Sequence, residues 1–209
     1  MIWFLAGSET ICFILSYRIQ PNTYPQCQMD LALAIMHVRA HARQYGIDEN
    51  RILVVGASAG GHLCASTAML HEELKTEIFC VHPEMEKLYG RISARPDGVG
   101  LLYPVISFTS EYHEGSCRCN TGGNPDFQKK LSVELHDLTG YPPIYAYANL
   151  DDGCVPASNT TRLDAALTKA GVKHRCETFP TGDHGIGLGY ATSAKAWSEH
   201  MLRFFDETL

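Results

Sequence analysis

Three short segments of this chain carry residue types that could do covalent chemistry. The first is Gly56-Ala57-Ser58-Ala59-Gly60-Gly61-His62-Leu63, which follows the apolar run Arg51-Ile52-Leu53-Val54-Val55 and leads into a helix-like stretch. A strand, a Gly-x-Ser-x-Gly turn and a helix form the setting in which a serine hydroxyl is lifted clear of a sheet to act as a nucleophile. Gly56 and Gly60 are the flanks where the turn leaves no room for side chains. A serine hydroxyl is weak at neutral pH, so it needs a base within hydrogen-bond reach and an acid to orient that base. The second segment, Leu150-Asp151-Asp152-Gly153-Cys154-Val155-Pro156, offers two candidate acids, and the third, Gly182-Asp183-His184-Gly185, offers the base. Serine, then Asp, then His is the chain order that this turn type requires. The helix after the serine begins with free N–H groups, which together with its dipole face any negative charge forming on a substrate.

The elements that must position these residues follow from apolar patterning. Strands are expected at the short apolar or β-branched runs Thr10–Ser16, Ile52–Val55, Val99–Tyr103 and Ile144–Asn149, and a last one at His174–Phe179. Helices are expected at Cys27–Tyr45, ended by Gly46, and from Ser58 until the pattern fades near Glu72. Further helices are expected over Asp126–His136, Ser158–Ala170 and Thr192–Phe205. Residues 72–97 have no readable period, and 107–126 read as loop. Alternating strands and helices imply an α/β fold, a doubly wound and mostly parallel sheet with flanking helices. In such a sheet Ser58, both Asp candidates and His184 all fall in loops at the carboxyl ends of strands, where open parallel sheets place their sites.

Composition narrows the classes. The 209 residues suit one domain, 45% of them are hydrophobic and 19% charged, and the net charge of −6 comes with no basic run. No nucleic-acid partner is expected from that balance. The apolar start Met1–Gly7 lacks a basic flank and breaks at Gly7-Ser8-Glu9, so neither a leader peptide nor a membrane anchor is expected. Eight scattered cysteines do not form a disulfide scaffold, and Cys12 and Cys64 fall in apolar patterns where a reduced thiol packs as a small hydrophobe. A reducing, cytoplasmic location is the expectation. Cys117-x-Cys119 with His113 nearby has the wrong spacing for zinc, so no metal and no organic cofactor are implied. His62 is expected to be structural, and Tyr103-Pro104 either lines an acyl pocket or simply ends a strand.

Taken together, the segments resemble the α/β-hydrolase superfamily, and within it the acetylxylan-esterase-like and hormone-sensitive-lipase-like esterases. The resemblance rests on Leu15-Ser16-Tyr17-Arg18, on residues 46–52, on the Gly56–Leu63 turn, and on Asp152-Gly153-Cys154-Val155-Pro156. It continues through residues 166–172 and Gly182-Asp183-His184-Gly185, so it spans roughly residues 10–205. It implies a carboxylic ester hydrolase acting on small acyl or acetyl esters, acetylated sugars among them, with Ser58 as nucleophile, His184 as proton carrier and Ala59 as an oxyanion donor. It also favours Asp152 over Asp151 as the acid, because the family's acid is followed by two residues and then Val-Pro. Asp151 is then left to cap the loop or support the site. A peptidase or lipase of the same fold, or an impaired remnant that serves as a binding module, is the alternative.

The resemblance leaves one part unmatched. The family's Gly-rich oxyanion loop, and the internal strand leading into it, have no counterpart before Thr10. The expectation is therefore an N-terminally truncated domain of low, triad-dependent activity, or one that pairs Thr10–Ser16 directly with the strand at Ile52–Val55. An exposed sheet edge left by that gap is a route to self-association.

Overall fold

A computed structural model describes residues 10–209; the apolar run at Met1–Gly7 lies outside the described residues. Four strands, β1 (Leu53–Ala57), β2 (Gly98–Leu102), β3 (Ile144–Asn149) and β4 (His174–Phe179), form a parallel sheet in the order β1-β2-β3-β4. Parallel neighbours require helical crossovers. They are supplied here by α3 (Ala59–Val81) and α4 (Pro83–Tyr89), by α5 (Glu114–Thr121) and α6 (Pro125–Leu131), and by α7 (Ser158–Lys169). Helices α1 (Gln26–Ala40) and α2 (Ala42–Tyr45) precede the sheet and α8 (Trp197–Asp206) closes the chain.

The period of two along each strand sorts side chains onto two covered faces. Val54, Val99, Leu101, Ile144 and Ala146 share one core with Leu31 and Ile35 of α1, Leu63 of α3 and Leu163 of α7. Val55, Tyr145 and Tyr147 share another with Trp197, Met201 and Phe205 of α8. In β2 the α8 face is glycine: a Cβ on Gly98 would stand 2.7 Å from the Phe205 ring, and one on Gly100 2.5 Å from the Met201 sulfur. The Gly-Val-Gly-Leu alternation thus lets α8 lie directly on the backbone while Val99 and Leu101 fill the opposite core.

Several expectations are corrected. Thr10–Ser16 is not a strand: it joins no ladder, and among the described residues β1 is paired with β2 alone. Direct closure onto β1 is therefore not made. The segment is held by α1 and α2 instead, with Leu15 and Tyr17 against the core, the Phe13 ring 4.9 Å from that of Tyr45, and Arg18 paired to Asp30 at 2.8 Å. A cleft of about 410 Å³ is lined by Phe13 and Leu15 of this segment together with Leu53 and Val55 of β1. Cys12 is exposed rather than packed, whereas Cys64 is buried.

The helix expected over Cys27–Tyr45 breaks at His41, and Gly46 ends the second piece with φ +68°. The helix after Ser58 does not fade near Glu72 but runs to Val81, because Leu74 and Ile78 still face a buried cluster under α1. The loop expected at 107–126 contains α5, started by a His113 side chain that accepts the Ser116 N–H. The last helix begins at Trp197, not Thr192. Residues 91–97, unreadable in sequence, are organised by Arg39. Its guanidinium donates to the Arg95 carbonyl at 2.6 Å and to Asp97 at 3.1 Å, while Asp97 accepts the Ile52 N–H at 2.9 Å.

Candidate active site

Ser58 stands between β1 and α3 with φ +54° and ψ −120°, a conformation costly for any residue with a side chain. The turn is held open to that geometry by close backbone packing. A Cβ on Gly56 would lie 2.2 Å from the Gly60 carbonyl oxygen, and one on Gly61 would lie 2.8 Å from Pro104 Cβ. Gly61 is thus a second steric requirement that the sequence did not single out. The Ser58 N–H donates to the Leu102 carbonyl at 2.9 Å, which ties the turn to the end of β2. Ala59 opens α3, so its N–H has no acceptor within the helix.

The structure brings Ser58, His184 and Asp152 into one hydrogen-bonded chain. Ser58 Oγ is 2.8 Å from His184 Nε2, and His184 Nδ1 is 2.8 Å from Asp152 Oδ2. A carboxylate only accepts, so Nδ1 carries the proton and Nε2 is free to accept from the serine hydroxyl. The Asp152 side chain is fully shielded from solvent. Its other oxygen, Oδ1, accepts the N–H groups of Cys154 and Val155, both at 2.8 Å. Both oxygens of the Asp152 carboxylate are therefore hydrogen-bonded within the protein, and its orientation is fixed by its own loop. This is the physical content of Asp-x-x-Val: the carboxylate caps the turn, and the buried Val155 anchors it. Asp151, the rejected acid, points its oxygens elsewhere, onto the N–H groups of Gly182 and Asp183.

Tyr103 is the residue whose part was left open, and it belongs to the site. It follows β2 with φ +38°, its N–H donates to the Tyr147 carbonyl at 2.7 Å, and its ring packs edge-on against the His184 imidazole at 4.8 Å. Burial pushes its hydroxyl up, as does the Asp152 charge, against a Gly187 N–H that favours the ionised form. A non-glycine left-handed residue beside Pro104 at a strand end was a visible signal only in hindsight of the fold. Behind it, Tyr147 stacks on Trp197 at 5.5 Å, and the Trp197 indole N–H donates to the Gly187 carbonyl at 3.0 Å. The loop after His184 is thereby fastened to α8. Ser193 adds a second tie, its hydroxyl donating to the Thr181 carbonyl at 2.6 Å and accepting the Thr181 N–H at 2.8 Å.

His62, one turn into α3, does not reach the site. It is fully buried against Phe108, with ring centroids 4.2 Å apart. Burial pushes its imidazole down to about 3, opposed weakly by the Val105 backbone, so it packs as a neutral ring. Cys117 is buried and Cys119 exposed on α5, and among the described residues no group of three or more His, Cys, Asp or Glu could hold a metal ion. Among those residues, too, no helix is long and apolar enough to cross a membrane.

Comparison with known proteins bears on the whole arrangement. Residues 5–110 match the family model BD-FAE, and residues 101–209 match the prolyl oligopeptidase family. An acetyl ester-xyloside bifunctional hydrolase from Caldicellulosiruptor lactoaceticus superposes with a TM-score of 0.81 at 34% identity, over 91% of this chain and 69% of that one. An endo-1,4-beta-xylanase B from Butyrivibrio fibrisolvens is 31% identical over 192 residues, 89% of this chain but 29% of that protein. An acetylxylan esterase from Xylanibacter ruminicola is 29% identical over 191 residues, 85% of this chain and 34% of its own length. This chain thus spans about a third of the length of these two curated relatives.

Proposed function

Because this chain belongs to the α/β-hydrolase superfamily, we propose that it is a serine esterase that cleaves small acyl esters, acetylated sugars among them, through an acyl-enzyme on Ser58. The observation that carries this reading is the pair of 2.8 Å hydrogen bonds linking Ser58, His184 and Asp152. In the reaction, Ser58 Oγ attacks the ester carbonyl carbon while its proton passes to His184 Nε2. The imidazolium so formed is held by Asp152. Charge on the carbonyl oxygen is met by the Ala59 N–H at the start of α3, an interaction that strengthens as the oxyanion develops. Collapse breaks the ester C–O bond, and the leaving alkoxide takes the proton from His184. Water then attacks acyl-Ser58, giving its proton to His184, and the carboxylic acid leaves as Ser58 regains its hydrogen. Acetylated sugars enter because relatives named for acetyl-ester and acetylxylan hydrolysis align over most of this chain.

The match of residues 101–209 to the prolyl oligopeptidase family favours one alternative, an amide leaving group. Mechanism alone does not separate the two, since leaving-group choice lies in the pocket. Purified protein assayed against short-chain esters, acetylated xylo-oligosaccharides and peptide amides decides between them. Hydrolysis of acetyl esters, abolished in Ser58→Ala, is the expected result. Turnover of amides alone would replace this proposal with the peptidase, and ester turnover that survives Ser58→Ala would remove Ser58 from its role.

A further inference from the structure

Two adjacent aspartates leave β3, and only Asp152 touches the imidazole. We propose that Asp151 is a positioning residue that latches the His184 loop to the acid loop and so sets where the imidazole stands; this rests on the serine-esterase reading. Asp151 Oδ1 accepts the N–H groups of Gly182 at 2.9 Å and Asp183 at 2.8 Å, the two residues that lead into His184. Its Oδ2 is also 3.1 Å from the Gly182 nitrogen. The latch is reciprocal: Asp183 Oδ1 accepts the Gly153 N–H at 3.3 Å, so each loop's carboxylate holds the other's backbone. Beneath both, buried Asn149 donates from Nδ2 to the Asp183 carbonyl at 2.8 Å. The fit there is tight, since a Cβ on Gly182 would meet the Asn149 amide at 2.5 Å.

The need for such a latch is visible in the backbone. Asp183 has φ +52°, a left-handed conformation that a non-glycine residue keeps only when its surroundings enforce it. Both of the N–H groups that frame this turn end on Asp151. The Asp183 N–H, against an opposing effect of burial and with a lesser contribution from the Gly182 N–H, holds the Asp151 carboxyl below the ordinary aspartate range. Without these acceptors Asp183 keeps its bonds to Asn149 and Gly153 but loses the partner that sets its own N–H and that of Gly182, and an imidazole displaced by about 1 Å can lose ~100-fold in rate.

The experiment compares Asp151→Ala, Asp151→Asn and the control Asp137→Ala. Asp137 caps an exposed turn of similar chemistry at Thr139, with no link to the site. Two readouts are used: ester kinetics, and the downfield NMR resonance of the His184 Nδ1 proton shared with Asp152, which needs no turnover. Asp151→Ala is expected to lower kcat by ~10- to ~100-fold with KM within about twofold, and to broaden or abolish the downfield signal. Asp151→Asn, which keeps an acceptor oxygen, should restore most of both, and Asp137→Ala should match the parent. If Asp151→Ala does not fold, Asp183→Gly takes its place. That change relieves the left-handed strain while cutting the return bond to Gly153, and a fall of ~3- to ~10-fold in kcat is expected on the same ground. An intact signal and unchanged kcat in Asp151→Ala would overturn the latch. A parent protein that turns over no ester but loses its signal in Asp151→Ala would refute the esterase reading and leave the latch standing.

Discussion

At the scale of residues, the site divides labour between neighbours of identical chemistry. Asp152 spends one oxygen on its own loop and one on His184, while Asp151 spends both on the backbone ahead of His184. Replacing Asp152 with Asn should therefore do more than weaken one bond. The amide would present N–H groups to Nδ1 and stabilise the wrong imidazole tautomer, and kcat is expected to fall about 10⁴-fold with little change in melting temperature. Tyr103→Ala removes the ring that braces the imidazole from the side. A fall in kcat with KM little changed, measured on a short-chain ester, is the expected outcome. His62 provides a test by pH. Its folded value of about 3 lies below the ordinary histidine range, so the unfolded chain binds a proton there that the folded protein refuses. Its contribution to stability is thus intact above about pH 6.5 and falls as pH drops towards 3, by up to about 1.4 kcal/mol per pH unit. Denaturant midpoints between pH 7 and pH 4 should decline less steeply in His62→Phe than in the parent.

At the scale of elements, the part of the fold that was legible in sequence is the part governed by local pattern. Ile144–Asn149, an apolar run, and His174–Phe179, the last stretch before the Gly-flanked His184, match β3 and β4 residue for residue. Ser58, Asp152 and His184 were legible because a tight Gly turn, an Asp-x-x-Val-Pro loop and a Gly-flanked His each leave a short signature. What was not legible depends on distant partners. Residues 72–81 look too polar for a buried helix, yet Leu74 and Ile78, one turn apart, are buried in one cluster and Phe79 packs against it, which holds that face of α3. Thr10–Ser16 has every local mark of a strand and no neighbouring strand to pair with. The ordering of residues 91–97 hangs on Arg39, some fifty residues earlier. Asp97→Ala would remove the carboxylate paired with that partly buried guanidinium, which keeps only carbonyl acceptors such as that of Arg95, and would leave the Ile52 N–H without its acceptor. A loss of about 3 kcal/mol in unfolding free energy is expected, with ester kinetics unchanged because the pair lies at the amino ends of β1 and β2, away from Ser58.

At the scale of the molecule, the three residues of the hydrogen-bonded chain and the Tyr103 beside them come from four strand ends: Ser58 after β1, Tyr103 after β2, Asp152 after β3 and His184 after β4. A parallel sheet puts all four loops on one edge, and the two helical layers hold those strands in register. Among the described residues β1 pairs with β2 alone, and we propose that its other side is where copies of this chain self-associate. Elution that stays monomeric across a wide concentration range would count against this. The central claim, that Ser58 is an activated nucleophile, is tested most directly by reacting the folded protein with a fluorophosphonate and locating the adduct by peptide mass spectrometry. A single adduct on Ser58, lost in His184→Ala while folding is retained, is predicted. Folded protein that takes up no label, or takes it up on another residue, would contradict the account.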